Sequence, residues 1–260
     1  MECIKNSMNN KTLPESDNYI SAELTDNLIM KGSCKYGHES FFIIQNPKFE
    51  ILFDLGIISL LDGYTREAVS SLVASYERFI EFASEIFMIK YIKDSNLPFE
   101  LFEKYKLSER QIGIFASLYT IIFKELPPKM SDQNTKFRND VIHNGKIPTE
   151  AEVNSFGEGI VSFVNPILNK IKSELSEELM QYTNKSIMNR TQTIKISGNL
   201  TTMCMGNGFG VYSAGDNNDT FVEKVKSVDL MKNISFSKFF EQEKRNSRYQ
   251  ILEMMFGKYI

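Results

Sequence analysis

The chain contains 260 residues, 42% of them hydrophobic, which is enough to bury one substantial core with small additions. Its net charge of −3 excludes a surface devoted entirely to nucleic acid but leaves room for a local basic cleft. The N-terminal residues lack the basic start and apolar run of a secretory leader, and no apolar stretch approaches the roughly 18 residues that cross a bilayer. The cysteines are few and odd in number, which argues against a disulfide framework. We therefore expect a cytoplasmic protein that does not enter a membrane.

A β-hairpin is the first element that the sequence predicts. Between Ala22 and Gln45, two apolar runs flank a turn that contains glycine, as in two short antiparallel strands. A helix should follow from Pro47, because proline is favoured in the first helical turn, and Gly63 should end it.

The longest periodic segment runs from Tyr64 to about Asn96. Apolar residues recur there every three or four positions, which predicts a long amphipathic helix. The positions opposite this stripe should form a mostly solvated face. They hold six charged residues: Arg66, Glu67, Glu77, Arg78, Glu81 and Glu85.

Two shorter helices should come next. One covers Phe99 to Tyr105, and Ser108 is a good N-cap for the other. Pro127 and Pro128 should end that second helix, because proline cannot continue the hydrogen-bond series.

A further short helix is predicted from Gln133 to about Asn144. Ser131 or Asp132 can cap its first turn. Gly145 stands where a left-handed residue is needed after the last turn.

A long helix should then begin at Thr149 and run to about Gln181, with a kink at Pro166. From Thr191 onward the composition shifts, and two β-rich runs around Gly198 predict a second hairpin. Helical sequence resumes at about residue 219.

We therefore predict a mainly α-helical protein with three parts. These are an N-terminal β-hairpin region (1–46), a helical bundle (47–185) and a C-terminal α+β extension (186–260).

The segment TKFRNDVIHNGKIPT, residues 135–149, holds the best candidates for chemistry. Asn139 and His143 are four positions apart and share one helix face, and the long Arg138 side chain reaches the same side. The helix dipole favours a protonated imidazole in the last turn, whereas a neighbouring arginine disfavours it. A guanidinium matches a phosphate, and an imidazole transfers protons near neutral pH. These side chains therefore suit the cleavage of RNA through its own 2′-hydroxyl.

The pattern Arg-Asn-x-x-x-His, followed by Asn144, Gly145 and the residues KIPT, resembles that of the HEPN domain family. The preceding segment LLDGYTREAVSSLVASYERFIEF is similar to the first major helix of that family. The resemblance covers about residues 47 to 181, and it implies that the helical bundle is HEPN-like.

Members of this kind are typically metal-independent endoribonucleases of toxin–antitoxin, abortive-infection and other anti-phage systems. The resemblance implies that Arg138 and His143 are the catalytic pair and that Asn139 is the polar residue that commonly follows the arginine. It also implies an RNA substrate, no metal or other cofactor, and a homodimer in which two motifs face each other. An antitoxin or another defence-system protein would be a partner. Lys136 and Lys146, which flank the motif, are then expected to bind the substrate.

Two other interpretations fit the same residues. The HEPN fold includes non-catalytic members, so the chain could be an adaptor that binds a partner protein or a nucleotide. A histidine at a helix end can also be a polar C-cap that only stabilises the helix. In one toxin subgroup, a tyrosine that the antitoxin modifies lies two positions after the histidine. That position holds Gly145 here, so we do not expect this regulation.

Three other patterns carry weaker hypotheses. Cys34 and His38 have the spacing of half a zinc site, but a complete set of four ligands is hard to assemble, so we predict no metal site. Residues 206–210, GNGFG, lack the lysine and the following helix of a phosphate-binding loop. The basic and aromatic residues between Lys244 and Tyr249 could guide RNA, although a solvated helix face is the commoner explanation.

Overall fold

The computed structural model of the chain describes residues 22–33, 39–92, 96–105, 108–192, 199–204, 209–212 and 217–240. These residues form a mainly α-helical protein with a small β-sheet, as the sequence predicts. In chain order the elements are β1 (Glu23–Leu24), β2 (Ile29–Ser33), β3 (Glu39–Ile44), α1 (Lys48–Leu61), α2 (Thr65–Ile89), α3 (Leu97–Lys104), α4 (Ser108–Phe123), α5 (Asp132–Ile142), α6 (Glu150–Glu174), α7 (Ser176–Gln192), β4 (Asn199–Met203) and α8 (Phe221–Phe240). None of these helices combines the length and the apolar character that a membrane crossing requires.

The described residues fall into two compact units. The sheet unit takes those up to Gln45, those of Ile187–Cys204 and those from Lys232 onward. The bundle unit takes Asn46–Ser186 and the described residues of Met205–Met231. Each unit buries apolar side chains of its own.

The sheet unit contains four strands in the order β1-β2-β3-β4. Strands β2 and β3 pair antiparallel, with Lys31 opposite Phe41, so the predicted N-terminal hairpin is confirmed. Ile29, Phe41 and Ile43 form a buried apolar cluster. Ile187 packs against this cluster, which ties the end of α7 to the hairpin.

Only part of the second predicted hairpin lies within the described residues. Thr191 and Gln192 end helix α7 instead of starting a strand. Strand β4 pairs parallel with β3, with Leu200 opposite Phe41. Residues 193–198 lie outside the described part of the chain. The hairpin leaves one edge of β3 open, and a strand that joins this edge satisfies the backbone groups of both partners.

Helix α2 is the central element of the bundle unit, where it contacts α1, α3, α4, α5 and α6. Its apolar stripe faces α1, and the ring of Phe49 lies 5.1 Å from that of Phe79 and 5.0 Å from that of Phe82. Phe209 joins the same cluster, with its ring centroid 5.7 Å from that of Phe49. These rings are buried, so these phenylalanines serve as core residues, as expected.

Helix α4 ends earlier than the sequence predicts. Its last residue is Phe123, and Lys124 follows in the left-handed region with a φ of 57°. The Lys124 amide still donates to the Thr120 carbonyl at 3.0 Å, as in a last helical turn. The chain has therefore left the helix before Pro127, and the expectation that the two prolines end it is wrong.

The helix predicted from Thr149 to about Gln181 is two helices. Helix α6 runs through Pro166 to Glu174, and Leu175, with φ −132° and ψ 32°, separates it from α7. A serine and two glutamates follow Leu175, and such residues favour a new helix N-terminus. One long helix was predicted because the apolar periodicity continues across this break.

The charged face of α2 is not solvated throughout, contrary to the sequence-based expectation. Glu85 is only 5% exposed, and Glu81 is half-buried. Burial raises the pKa of the Glu85 carboxyl well above its ordinary value, the neighbouring Glu81 raises it further, and Arg78 opposes both effects. Glu85 is therefore a buried ionisable group whose charged form destabilises the core, rather than a surface charge.

We expect Glu85→Gln to stabilise the protein at neutral pH by about 1–3 kcal/mol, because an amide of the same shape avoids burying a charge. The folded-state pKa of Glu85 lies above the ordinary value of 4.5. The protonated carboxyl therefore contributes its full stability below pH 4.5. This contribution is lost as the pH rises through the folded-state pKa. The gain from Glu85→Gln should thus grow between pH 4.5 and neutral pH, as measured by urea unfolding. Glu67→Gln, at an exposed position of the same helix, is the control. A gain that does not change with pH would contradict the assignment.

Candidate functional site

Helix α5 carries the candidate site, and local interactions determine both of its ends. Ser131 caps the first turn, since its hydroxyl accepts from the Asn134 amide at 3.1 Å. At the other end His143 is the C-cap residue, and Gly145 has a φ of 72°, the left-handed conformation that the sequence predicts. The Lys146 amide then donates to the carbonyl of Asp140 at 3.0 Å. The predicted helix and its stop are therefore confirmed to within two residues.

One open cavity of about 750 Å³ brings Arg138, Asn139 and His143 together. Val141 of the same helix is fully buried and anchors α5 on the bundle. The facing wall of the cavity comes from helices α2 and α4. Its side chains are Tyr76, Glu77 and Ile80 from α2, and Glu109, Gln111 and Ile112 from α4. A volume of this size lies within the range of small-ligand sites.

The Arg138 guanidinium is tied to helix α2. Its Nη2 lies 2.6 Å from Oε1 of Glu77, and the two side chains are 28% and 26% exposed. Nη1 also lies 3.5 Å from Oδ1 of Asn139, the long limit of a hydrogen bond. The ion pair orients the arginine toward the cavity and neutralises part of its charge. An incoming anion would have to compete with the Glu77 carboxylate for this cation.

The His143 imidazole is available for proton transfer. His143 is exposed, and its described hydrogen bond is made by its backbone amide, which donates to the Asn139 carbonyl at 2.9 Å. Among the residues that the structure describes, none hydrogen-bonds with its ring nitrogens. A substrate or a water molecule can therefore reach the imidazole from the cavity.

Tyr76 contributes a neutral phenol to the cavity wall. Burial raises the pKa of Tyr76 to about 12, although the charge of Arg138 favours the ionised form. Its ring packs edge-on against Phe163 at a centroid distance of 5.0 Å. Tyr76 is thus a rigid hydrogen-bond donor at neutral pH and is unsuited to act as a base there.

Lys136 and Lys146 do not line the cavity that holds Arg138. They lie in a separate cavity of about 220 Å³, together with Phe137 and Glu152. The Lys146 ammonium lies 2.6 Å from Oε1 of Glu152 and 5.1 Å from the centroid of the Phe137 ring. Its hydrogen bond lowers the pKa of Glu152 to about 2, and the Thr149 amide contributes. Lys146 thus supports the capping box that begins α6.

The weaker sequence patterns fall mostly outside the described residues. Cys34, His38 and the basic cluster from Lys244 to Tyr249 all lie there. Cys204 is described and is a free, exposed thiol. The described part of the chain contains no group of three or more His, Cys, Asp or Glu side chains arranged to hold a metal ion. Phe209, the fourth residue of the GNGFG segment, is buried in the bundle core.

The cavity residues that the sequence did not indicate include Tyr76, Glu77 and Gln111. Glu77 was assigned to a solvated face, and no local pattern could reveal a partner 61 positions away. Comparison of the chain with protein-family models, curated proteins and solved structures found no match. Function is therefore inferred from the cavity and its side chains.

Proposed function

We propose that the protein is a metal-independent endoribonuclease of the HEPN type that acts in bacterial toxin or anti-phage defence. One observation carries the proposal. A guanidinium, an amide and an exposed imidazole from one helix border the same open cavity, which is large enough for a nucleotide. The resemblance of the Arg138–His143 pattern to the HEPN family supplies the defence role.

In the proposed reaction, Arg138 binds the scissile phosphate and stabilises the negative charge that develops on it. His143 accepts the proton of the 2′-hydroxyl as the 2′-oxygen attacks phosphorus, or it protonates the 5′-oxygen that leaves. Asn139 orients the phosphate or the imidazole. The bond from phosphorus to the 5′-oxygen breaks, so the products end in a 2′,3′-cyclic phosphate and a 5′-hydroxyl.

We also propose that the protein works as a cytoplasmic homodimer. Two copies of Arg138 that face each other would create a positive cleft in a protein with a net charge of −3. An antitoxin or another defence protein would then control access to this cleft.

Cleavage of single-stranded RNA by the purified protein tests the proposal. We expect cleavage to persist in EDTA and to leave the two termini named above. Arg138→Ala should lose activity. Arg110→Ala, which removes an exposed arginine of α4 that does not line the cavity, should retain it. A strict requirement for a divalent ion, or full activity in Arg138→Ala, would overturn the proposal.

The ion pair between Arg138 and Glu77 favours a second candidate, a non-catalytic adaptor that binds a partner protein or a nucleotide. In an adaptor the guanidinium could stay neutralised, because no phosphate would need it. Expression in bacteria separates the candidates. If the wild type and His143→Ala both leave growth unchanged and neither protein cleaves RNA, the adaptor is favoured.

Glu77→Gln should strengthen the binding of a non-cleavable 2′-deoxyoligonucleotide by about three- to tenfold. Glutamine keeps an oxygen that accepts from Arg138, so the guanidinium stays in place while a competing negative charge disappears. The pair is partly exposed, so the loss of stability should be at most about 1 kcal/mol. Fluorescence anisotropy at low salt measures the affinity. Glu125→Gln, which removes the carboxylate of another 2.6 Å pair outside the cavity, is the matched control. Unchanged affinity in Glu77→Gln would show that Arg138 does not meet the phosphate.

A further inference from the structure

Gln111 is a polar residue of the cavity that the proposed cleavage does not use. It lines the cavity wall and is only 1% exposed. Its Nε2 donates to the carbonyl oxygen of Tyr105 at 3.1 Å. Its Oε1 accepts no hydrogen bond from any residue that the structure describes. Buried acceptors without a donor are rare because they destabilise the fold, so a ligand that donates to this oxygen from the cavity would stabilise it.

The orientation of the Gln111 amide follows from its partner. A backbone carbonyl only accepts hydrogen bonds, so the amide end that faces Tyr105 must be the NH₂ group. The end left over is therefore an acceptor. Glu109, on the same helix, adds a carboxylate to this wall. Both polar side chains that α4 contributes to the cavity wall can thus accept hydrogen bonds from a ligand with N–H groups.

Apolar side chains line the same cavity as this acceptor. Ile80 of α2, Ile112 of α4 and Met130, which precedes α5, line the same cavity. Ile112 is 41% exposed, so an apolar surface is open to a ligand. A nucleobase has flat apolar faces and a polar edge, and it can place both in such a site.

We propose that this wall is a nucleobase subsite that prefers a base with an exocyclic amino group over uracil. Gln111 Oε1 accepts a hydrogen bond from that amino group, and the apolar side chains contact the faces of the base. Uracil would turn a carbonyl oxygen toward Oε1, and two acceptors repel each other. The inference rests on the proposed function, because the base would belong to the nucleotide whose phosphate Arg138 binds.

Cytidine and uridine 3′-monophosphates are matched probes, since cytosine carries an exocyclic amino group where uracil carries a carbonyl oxygen. We expect calorimetry with the full chain to show about tenfold tighter binding of the cytidine nucleotide. Gln111→Met, which keeps the length of the side chain without the acceptor, should remove this preference. Gln111→Leu is a second variant without the acceptor, and melting temperatures show which variants fold.

Ile112→Ser should weaken both nucleotides several-fold. Ile121→Ser should change neither, because Ile121 is 50% exposed on the same helix but lies outside the cavity. Equal binding of the two nucleotides by the wild type, or an unchanged preference in the folded Gln111 variants, overturns the subsite. RNA cleavage without base preference also overturns it and leaves the nuclease proposal standing. Base-selective binding of the nucleotides without any RNA cleavage overturns the nuclease and supports the subsite.

Discussion

Replacing His143 by alanine should lower the rate constant of RNA cleavage by about 100- to 10,000-fold, because the proposed reaction loses its proton-transfer group. The melting temperature should hardly change, since the imidazole is exposed and the described hydrogen bond of His143 is made by its backbone. Single-turnover cleavage of a short RNA measures the rate. Arg138 should still bind the phosphate, so the affinity for a 2′-deoxyoligonucleotide should stay within about twofold of the wild type.

His143→Gln separates catalysis from capping. Glutamine can hydrogen-bond to the end of helix α5 but cannot transfer a proton, so we expect the same loss of rate as with alanine. If His143 were only a polar C-cap, alanine would lower the melting temperature, whereas glutamine would preserve it. That result, together with normal cleavage by both variants, would contradict the catalytic role.

Phe49→Ala should destabilise the protein by about 3–5 kcal/mol, which is the usual effect of removing a large buried aromatic side chain. Phe49 is fully buried, and its ring contacts those of Phe79, Phe82 and Phe209. The substitution therefore leaves a cavity where α1, α2 and the segment after β4 meet. Urea unfolding followed by circular dichroism measures the change.

Two controls accompany that measurement. Leu126→Ala removes an apolar side chain that is 84% exposed and should change stability by less than about 0.5 kcal/mol. Phe49→Leu keeps most of the buried volume and should cost clearly less than alanine. A loss below about 1 kcal/mol in Phe49→Ala would mean that the bundle does not depend on this aromatic cluster.

Local patterns predicted the helices of the bundle well because their information lies within a few residues. The apolar stripe of α2, the cap at Ser131 and the left-handed Gly145 could all be found from sequence. The helix that carries Arg138, Asn139 and His143 was therefore predictable as well. The break at Leu175 was overlooked, since a buried leucine fits the apolar period of both helices that it separates.

The features that were not predicted depend on interactions between distant segments. No feature near β4 indicates that it pairs with β3, because the choice of partner depends on which strand edge is open in the folded chain. The ion partner of Arg138 and the unpaired oxygen of Gln111 also depend on how α2, α4 and α5 pack. Burial raises the pKa of Glu85. The position of a charged residue within a helical period does not reveal whether its side chain is buried. Local sequence patterns therefore did not reveal the residues that surround the motif.

The parallel pairing of β3 with β4 also sets an order of events during translation. The hairpin is synthesised first, whereas residues 199–203, which complete its sheet, are made about 8–30 s later at about 5–20 residues per second. Throughout this interval the nascent chain displays an incomplete sheet with an adhesive edge. A messenger RNA truncated within the codons of helix α7 would yield chains that never complete the sheet. We expect such truncated chains to form inclusion bodies or to require a chaperone.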